Sequence, residues 1–166
     1  MSAGIEATQY LTRQHRELEA DLRAALAMAD TGARRSRFLD IADALAMHLA
    51  SEEQLFYPAV NAGATEDILL ESLEEHLAMK RLVADLLALD GDADTFPPKL
   101  HVLLEQTAHH HREEEEKLFP KARSELAPAR REELGRQMQA LQAQLQQQGR
   151  PRQAVPGQVD AAQPLG

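Results

Sequence analysis

His48-Leu-Ala-Ser-Glu52-Glu53-Gln-Leu-Phe56-Tyr57-Pro58 and His110-His-Arg-Glu-Glu114-Glu115-Glu-Lys-Leu118-Phe119-Pro120 are two copies of one pattern. Aligned on proline, both read His-x3-Glu-Glu, then an aromatic residue, then Pro. On an α-helix, residues i and i+4 lie about 40° apart in azimuth and about 6 Å apart along the axis, so His and Glu reach toward one point. Pro58 and Pro120 sit where a helix ends or kinks, which places each motif in the last turn or two of its helix. The repeat extends upstream: His15 lies 33 residues before His48, and His76 lies 34 residues before His110. The chain therefore reads as two copies of a unit with His on a first helix and His-x3-Glu on a second. Two such units face to face gather four imidazoles and two carboxylates, the donor set of a metal site and most simply of a two-metal site.

Periodicity supplies the frame for these residues. A helix over about 5–30 turns Leu11, His15, Leu18, Leu22 and Leu26 inward, with Thr31-Gly32 as its stop. A second, over about 35–57, carries Phe38, Ile41, Leu45, His48, Glu52 and Leu55 on its seam. A third, over about 66–89, turns Leu69, Leu73, His76, Val83 and Leu87 inward, with Lys80 on the same seam. After the break from Asp90 to Pro98, a fourth carries Leu100, Leu103, Thr107, His110, Glu114 and Leu118. The expected fold is all-α, an up-down-up-down four-helix bundle over residues 1–127. Residues 128–147 form an accessory C-terminal helix whose stripe of Leu134, Met138, Leu141 and Leu145 serves packing or self-association. Residues 148–166, rich in Gln, Pro, Gly and Ala, are expected to be a disordered tail.

Composition narrows the function. Without Cys there are no disulfides, no thiolate zinc sites and no Cys-held iron–sulfur clusters. A formal net charge of −9 argues against a nucleic-acid partner. The N-terminus lacks the basic and apolar runs of a signal peptide, and no stretch approaches the ~18 apolar residues of a membrane span. A cytoplasmic setting is the expectation.

Buried carboxylates and imidazoles are costly unless paired or bound to metal, and here four His and two Glu interrupt four separate apolar seams. Neutral nitrogen and anionic oxygen donors suit iron, manganese or zinc better than copper(I) or calcium, and six ligands exceed the need of one tetrahedral zinc. The candidate metal ligands are His15, His48, Glu52, His76, His110 and Glu114. His101, His109 and His111 fall off the seam of the fourth helix and are expected at the surface or beside the ligands. The register His111/Glu115 competes with His110/Glu114, but the proline alignment disfavours it. No residue stands out as a separate general acid or base, although Tyr57, Lys80 and Glu115 lie near enough to serve.

The same residues resemble the hemerythrin-like, or HHE cation-binding, proteins: His15, His48 with Glu52, His76 preceded by Glu75, and His110 with Glu114, in order and spacing over about residues 5–125. The resemblance implies a four-helix bundle around two non-haem iron ions bridged by Glu52 and Glu114, with manganese or zinc the weaker choices. Its oxygen carriers have a fifth His four residues from that on the third helix, where this chain offers only Ser72 and Lys80. One iron is then expected to keep an open position. That favours binding or reaction with O2, H2O2 or NO, including catalase-like peroxide chemistry, or alternatively oxygen or redox sensing or iron handling without turnover.

Overall fold

A computed structural model describes residues 4–166, which contain helices and no strand. Helix α1 (Ala7–Ala27) is opened by Glu6, whose carboxylate accepts from the backbone N–H groups of Thr8 and Gln9. Helix α2 begins at Thr31, not at Arg35, because the Asp30 carboxylate accepts from Gly32 and Ala33 N–H. Thr31-Gly32 thus lies inside the second helix instead of ending the first. Helix α4 (Glu66–Ala88) follows a short loop, and α5 (Phe96–Glu113) starts with prolines in its first turn. The long helices form the expected bundle, α1 against α2 and α5, and α4 against α5.

The two motif helices are not regular. Helix α2 (Thr31–Ser51) passes through a π turn, Glu52–Phe56, into α3 (Tyr57–Val60). Helix α5 passes through a second π turn, Glu114–Leu118, into α6 (Phe119–Glu125). Tyr57 N–H donates to the Glu52 carbonyl and Phe119 N–H to the Glu114 carbonyl, one residue further back than in an α-helix. The cause is the proline that follows each turn. Its ring crowds the carbonyl four residues back and it has no N–H to offer, so the turn ahead of it widens. The extra residue shifts the phase of the helix. Leu55, expected inward, is only half-buried, while Phe56 and Tyr57 are buried. Near the end of α4 it is likewise Leu86, not Leu87, that is fully buried.

The core is split into two apolar blocks. One is built on Leu18, Leu22, Phe38, Ile41, Leu45, Val83 and Leu100, the other on Leu11, Phe56, Leu69, Leu73, Leu118 and Phe119. Along every bundle helix the His and Glu residues fall between the two blocks. Each fully buried Leu, Ile or Phe contributes ~1.5–3 kcal/mol, so the blocks stabilise the polar layer they enclose.

Helix α7 (Pro128–Gln148) packs on α1 and α2 and buries Leu134 and Met138 in the second block, so that part of its apolar stripe is used within the chain. Residues 148–166 are not disordered as the composition suggested. Gly149 (φ 83°) and Arg150 (φ 47°) take left-handed backbone and fold the chain back, and a 3-10 segment, Pro151–Gln158, lies against α2 and α4. Arg152 donates to the Asp43 carboxylate from its backbone N–H and its guanidinium, Val155 is buried in the first block, and Arg81 donates to the Val159 carbonyl. Val155 in the first block, Ala162 and Leu165 against the second, and a few directed hydrogen bonds replace the hydrophobic content that the segment lacks.

Gly135 lets α7 approach closely, since a Cβ there would stand 2.2 Å from the Ile5 carbonyl oxygen. Gly135→Ala is expected to lower stability by about 1–3 kcal/mol in urea unfolding, because backbone cannot yield as a flexible side chain does. Unchanged stability would show that α7 is not held against the N-terminal backbone.

Candidate metal centre

All six residues singled out by the repeat are buried at one level of the bundle: His15, His48, Glu52, His76, His110 and Glu114. The carboxylate of Glu52 lies between two pairs of imidazoles. Its Oε1 faces His48 and, at 4.0 Å, His15 Nε2; its Oε2 is 3.2 Å from His76 Nε2 and 3.6 Å from His110 Nε2. Glu114 Oε1 is 3.3 Å from His15 Nε2 and 3.2 Å from His110 Nε2. One pair of imidazoles comes from α1 and α2 and the other from α4 and α5, with an acid from each π turn between them.

The residues that orient these rings come from neighbouring helices. Glu115 faces His15 Nδ1 at 3.2 Å, Gln14 faces His48 Nδ1 at 2.8 Å, Glu53 faces His76 Nδ1 at 2.9 Å and Glu75 faces His110 Nδ1 at 3.4 Å. An imidazole anchored through its Nδ1 proton turns Nε2 toward the centre, where it can bind a cation once any second proton has left. Lys80 pairs with Glu53, while Arg16 pairs with Glu115.

Three residues matter more than straight-helix periodicity suggests. Tyr57, buried by the π phase shift, donates to Glu52 Oε2 at 2.7 Å and Glu114 Oε2 at 3.0 Å, and its hydroxyl also lies 3.0 Å from His76 Nε2. His111, expected off the seam, is 1% exposed and stacks on His15 with ring centroids 3.7 Å apart. Glu19 is buried to meet it, its Oε2 3.1 Å from His111 Nδ1. An acid on α1 one turn after His15 was the signal available in the sequence. His101 and His109 do stay at the surface, with side chains 60% and 53% exposed. Ser72 and Lys80 are both buried.

The donor chemistry fits a cation. Among the described residues, the buried side-chain atoms without a hydrogen-bond partner include His15 Nε2, His48 Nε2, His111 Nε2, Glu52 Oε1 and Glu114 Oε1. Several lie close to one another but in no hydrogen-bonding orientation. Each unsatisfied buried group costs ~1–3 kcal/mol, and five in one place fit a bound cation. The ligand atoms of His15, His48, Glu52 and Glu114 lie within 4.8 Å of one another, as do those of Glu52, His76 and His110. Glu52 belongs to both groups.

The electrostatics of the layer point the same way. Burial pulls His15 down, yet Glu114, Glu115 and Glu52 overcome it and raise its pKa to about 10. Burial likewise opposes charge on His110 and His76, but the carboxylates around them raise both. Burial disfavours the charged form of Glu52, and His48, His110 and His15 reverse this and hold it well below the usual range. Burial and Glu52 push Glu114 up, but His110 and His15 outweigh them and lower it. Burial, then Glu114 and Glu52, push the Tyr57 hydroxyl up, so it stays a donor. Burial and the neighbouring His15, His48 and His110 lower His111. Two fixed anions with raised imidazoles around them demand positive charge, whether protons or metal supply it.

The hemerythrin HHE cation binding domain matches residues 6–122, well over half of the chain, and the protein belongs to that family. A crystal structure of a hemerythrin HHE cation binding domain-containing protein from Mycobacterium kansasii is similar in fold, with TM-score 0.74 at 21% identity over 93% of this chain and 92% of that one. No curated protein matches the chain. No helix of the described residues is long and apolar enough to cross a membrane.

Because His15, His76 and His110 hold protons more tightly than a free imidazole does, metal must displace them, and uptake strengthens as pH rises. Adding divalent metal near neutral pH is expected to release protons, read as a buffer-dependent heat in calorimetric titration. Uptake with no proton release would show the imidazoles already neutral. His48→Ala and His110→Ala are expected to lose most bound metal in elemental analysis while His101→Ala retains it; equal retention would place the metal elsewhere.

Proposed function

We propose that the centre holds two non-haem iron ions and that the protein, in the cytoplasm, binds or reacts with a small ligand such as H2O2, O2 or NO. The observation that carries this reading is Glu52, which turns one oxygen to His15 and His48 and the other to His76 and His110. A carboxylate so placed is suited to bridge two cations, with Glu114 as its counterpart from the second π turn. His15 and His48 then hold one ion, His76 and His110 the other. The nitrogen-and-carboxylate donor set suits iron, manganese or zinc over softer or harder ions, and membership of the hemerythrin HHE family puts iron first among them. Iron supplies a redox couple and, where no protein donor fills a position, a place for a small oxidant or diatomic molecule.

The chain's own residues set the conditions for such chemistry. Glu52 and Glu114 offset the cationic charge, and Glu53, Glu75 and Glu115 raise ligand basicity through the ring Nδ1 groups. The Tyr57 hydroxyl stands among the donors with its proton directed at the two acids, a neutral donor able to hold or give a proton there. Apolar blocks on either side keep bulk water out. A cavity of about 560 Å³ between α2, the end of α7 and the 3-10 segment reaches Lys80 and Glu53, next to His76. It offers a small molecule an approach toward the His76 side, closed at its inner end by the Lys80–Glu53 ion pair.

A sensor without turnover is the alternative, and one observation favours it. Gln142 of α7 and Gln14 of α1 exchange hydrogen bonds through their amides, and Gln14 in turn accepts from His48. A change at the centre thus has a hydrogen-bonded path to the C-terminal helix.

Anaerobic loading is expected to give two iron ions per chain, and mixing with H2O2 to give optical changes that His48→Ala loses. Oxygen evolution on repeated peroxide addition identifies an enzyme. A parent protein inert to peroxide that binds O2 or NO reversibly identifies the sensor, and one iron or fewer per chain rejects the two-metal reading. Chelating the metal is expected to lower the melting temperature, since a ligand at a thousandfold excess over its Kd contributes ~4 kcal/mol.

A further inference from the structure

We propose that His111 is a fifth imidazole ligand, joining His15 and His48 at one metal position and making the two positions unequal. The inference rests on the two-metal reading and goes beyond it, since neither the repeat nor the family resemblance assigns this residue. The resemblance looks for a fifth His on the third bundle helix; the candidate found here is on the fourth, beside His110.

Three observations carry it. The first is construction. Each of the five buried imidazoles has its Nδ1 against an oxygen acceptor from another helix or turn: His15 on Glu115, His48 on Gln14, His76 on Glu53, His110 on Glu75 and His111 on Glu19 at 3.1 Å. The carboxylate behind a ligating imidazole fixes its tautomer and leaves Nε2 its lone pair. The exposed His101 and His109 instead meet glutamates through Nε2. The second is placement, since the ring nitrogens of His15, His48 and His111 lie within 4.8 Å of one another. The third is an unmet need, since His111 Nε2 is buried with no hydrogen-bond partner, as are the Nε2 atoms of His15 and His48.

Packing alone would explain less. His111 stacks on His15 at an interplanar angle of 10°, which any flat ring would do, and joint ligation with His15 requires the ring to turn out of this stack so that both Nε2 lone pairs converge. Stacking gives no reason to bury a bare nitrogen without a partner, nor to set Glu19, which also pairs with Arg16 and Arg23, behind its Nδ1. With His111 counted, one side of the bridging acids has three imidazoles and the other, His76 and His110, has two. The position left to an exogenous ligand then falls on the His76 side, which is separated from the cavity by Glu53 and its partner Lys80.

The test is iron loading of the full chain, with iron counted per chain and Mössbauer spectra recorded, comparing wild type with His111→Phe, His111→Ala and His109→Ala. His111→Phe keeps a flat ring on His15 and removes the nitrogen. Wild type and His109→Ala are expected to hold two irons in distinct environments. His111→Phe is expected to bind one of the two on the order of tenfold more weakly or worse, with changed spectral parameters for that iron. Should His111→Phe fold poorly by circular dichroism, added imidazole is expected to restore the second iron to His111→Ala, which a purely structural role would not allow. Two irons with an unchanged spectrum in His111→Phe, or no imidazole rescue of His111→Ala, overturns the assignment while leaving the two-metal reading intact. Fewer than two irons in wild type instead removes the reading on which it rests.

Discussion

Five imidazoles and two carboxylates share one dehydrated layer, and the surrounding structure is shaped by the need to neutralise it. Carboxylates with only imidazoles and one neutral phenol for neighbours cannot remain as they are in a medium that solvates charge poorly. Either protons move onto the rings or a cation enters. The raised pKa values of His15, His76 and His110 show the first solution, while the partnerless Nε2 and Oε1 atoms show where the second would act. The layer costs stability by itself. Two apolar blocks above and below it, and the carboxylates and amide behind the rings, hold it in place.

The backbone contributes through its two π turns. Each begins at the glutamate of a His-x3-Glu motif and ends just before the residue preceding a proline. The proline makes the wider turn favourable, and the wider turn moves the next side chain in phase. On the first copy that residue is Tyr57, whose hydroxyl then reaches both acids; on the second it is Phe119, which packs against His15 and Phe56 instead. The repeat is therefore symmetric in backbone and asymmetric in chemistry. One side of the centre has a phenol among its donors, the other a third imidazole in stacking contact.

The C-terminal quarter, from Pro128 onward, is part of this arrangement. Helix α7 covers α1 and meets the centre through Gln142, Gln14 and His48. The 3-10 segment, fastened by Arg152 to Asp43, walls the cavity that reaches Lys80 and Glu53. A polar, proline-rich segment is thus tied to the bundle by a few directed bonds near the side of the centre with fewer imidazoles.

The sequence alone determined the helical frame, because the apolar steps of three and four leave one inward face per helix. It also determined the depth of the six repeated donors, because they replace apolar residues on those faces. Family membership was legible for the same reason, through order and spacing. Changes of helical phase and of chain direction were not legible. Straight-helix geometry put Leu55 inward and His111 off the inward seam, at the surface or beside the ligands. The π turn before Pro58 turned Leu55 aside and brought Tyr57 to the acids, and packing of α1 against α5 brought Glu19 to His111. Composition made residues 148–166 a loose tail, whereas left-handed backbone at Gly149 and Arg150 brought Arg152 to Asp43 and Val155 into the core. Periodicity is a property of one element and survives in the sequence. Which rings share an anchor, which acid turns an oxygen to each side and what covers the centre depend on the meeting of several elements, and only the tertiary structure decides that.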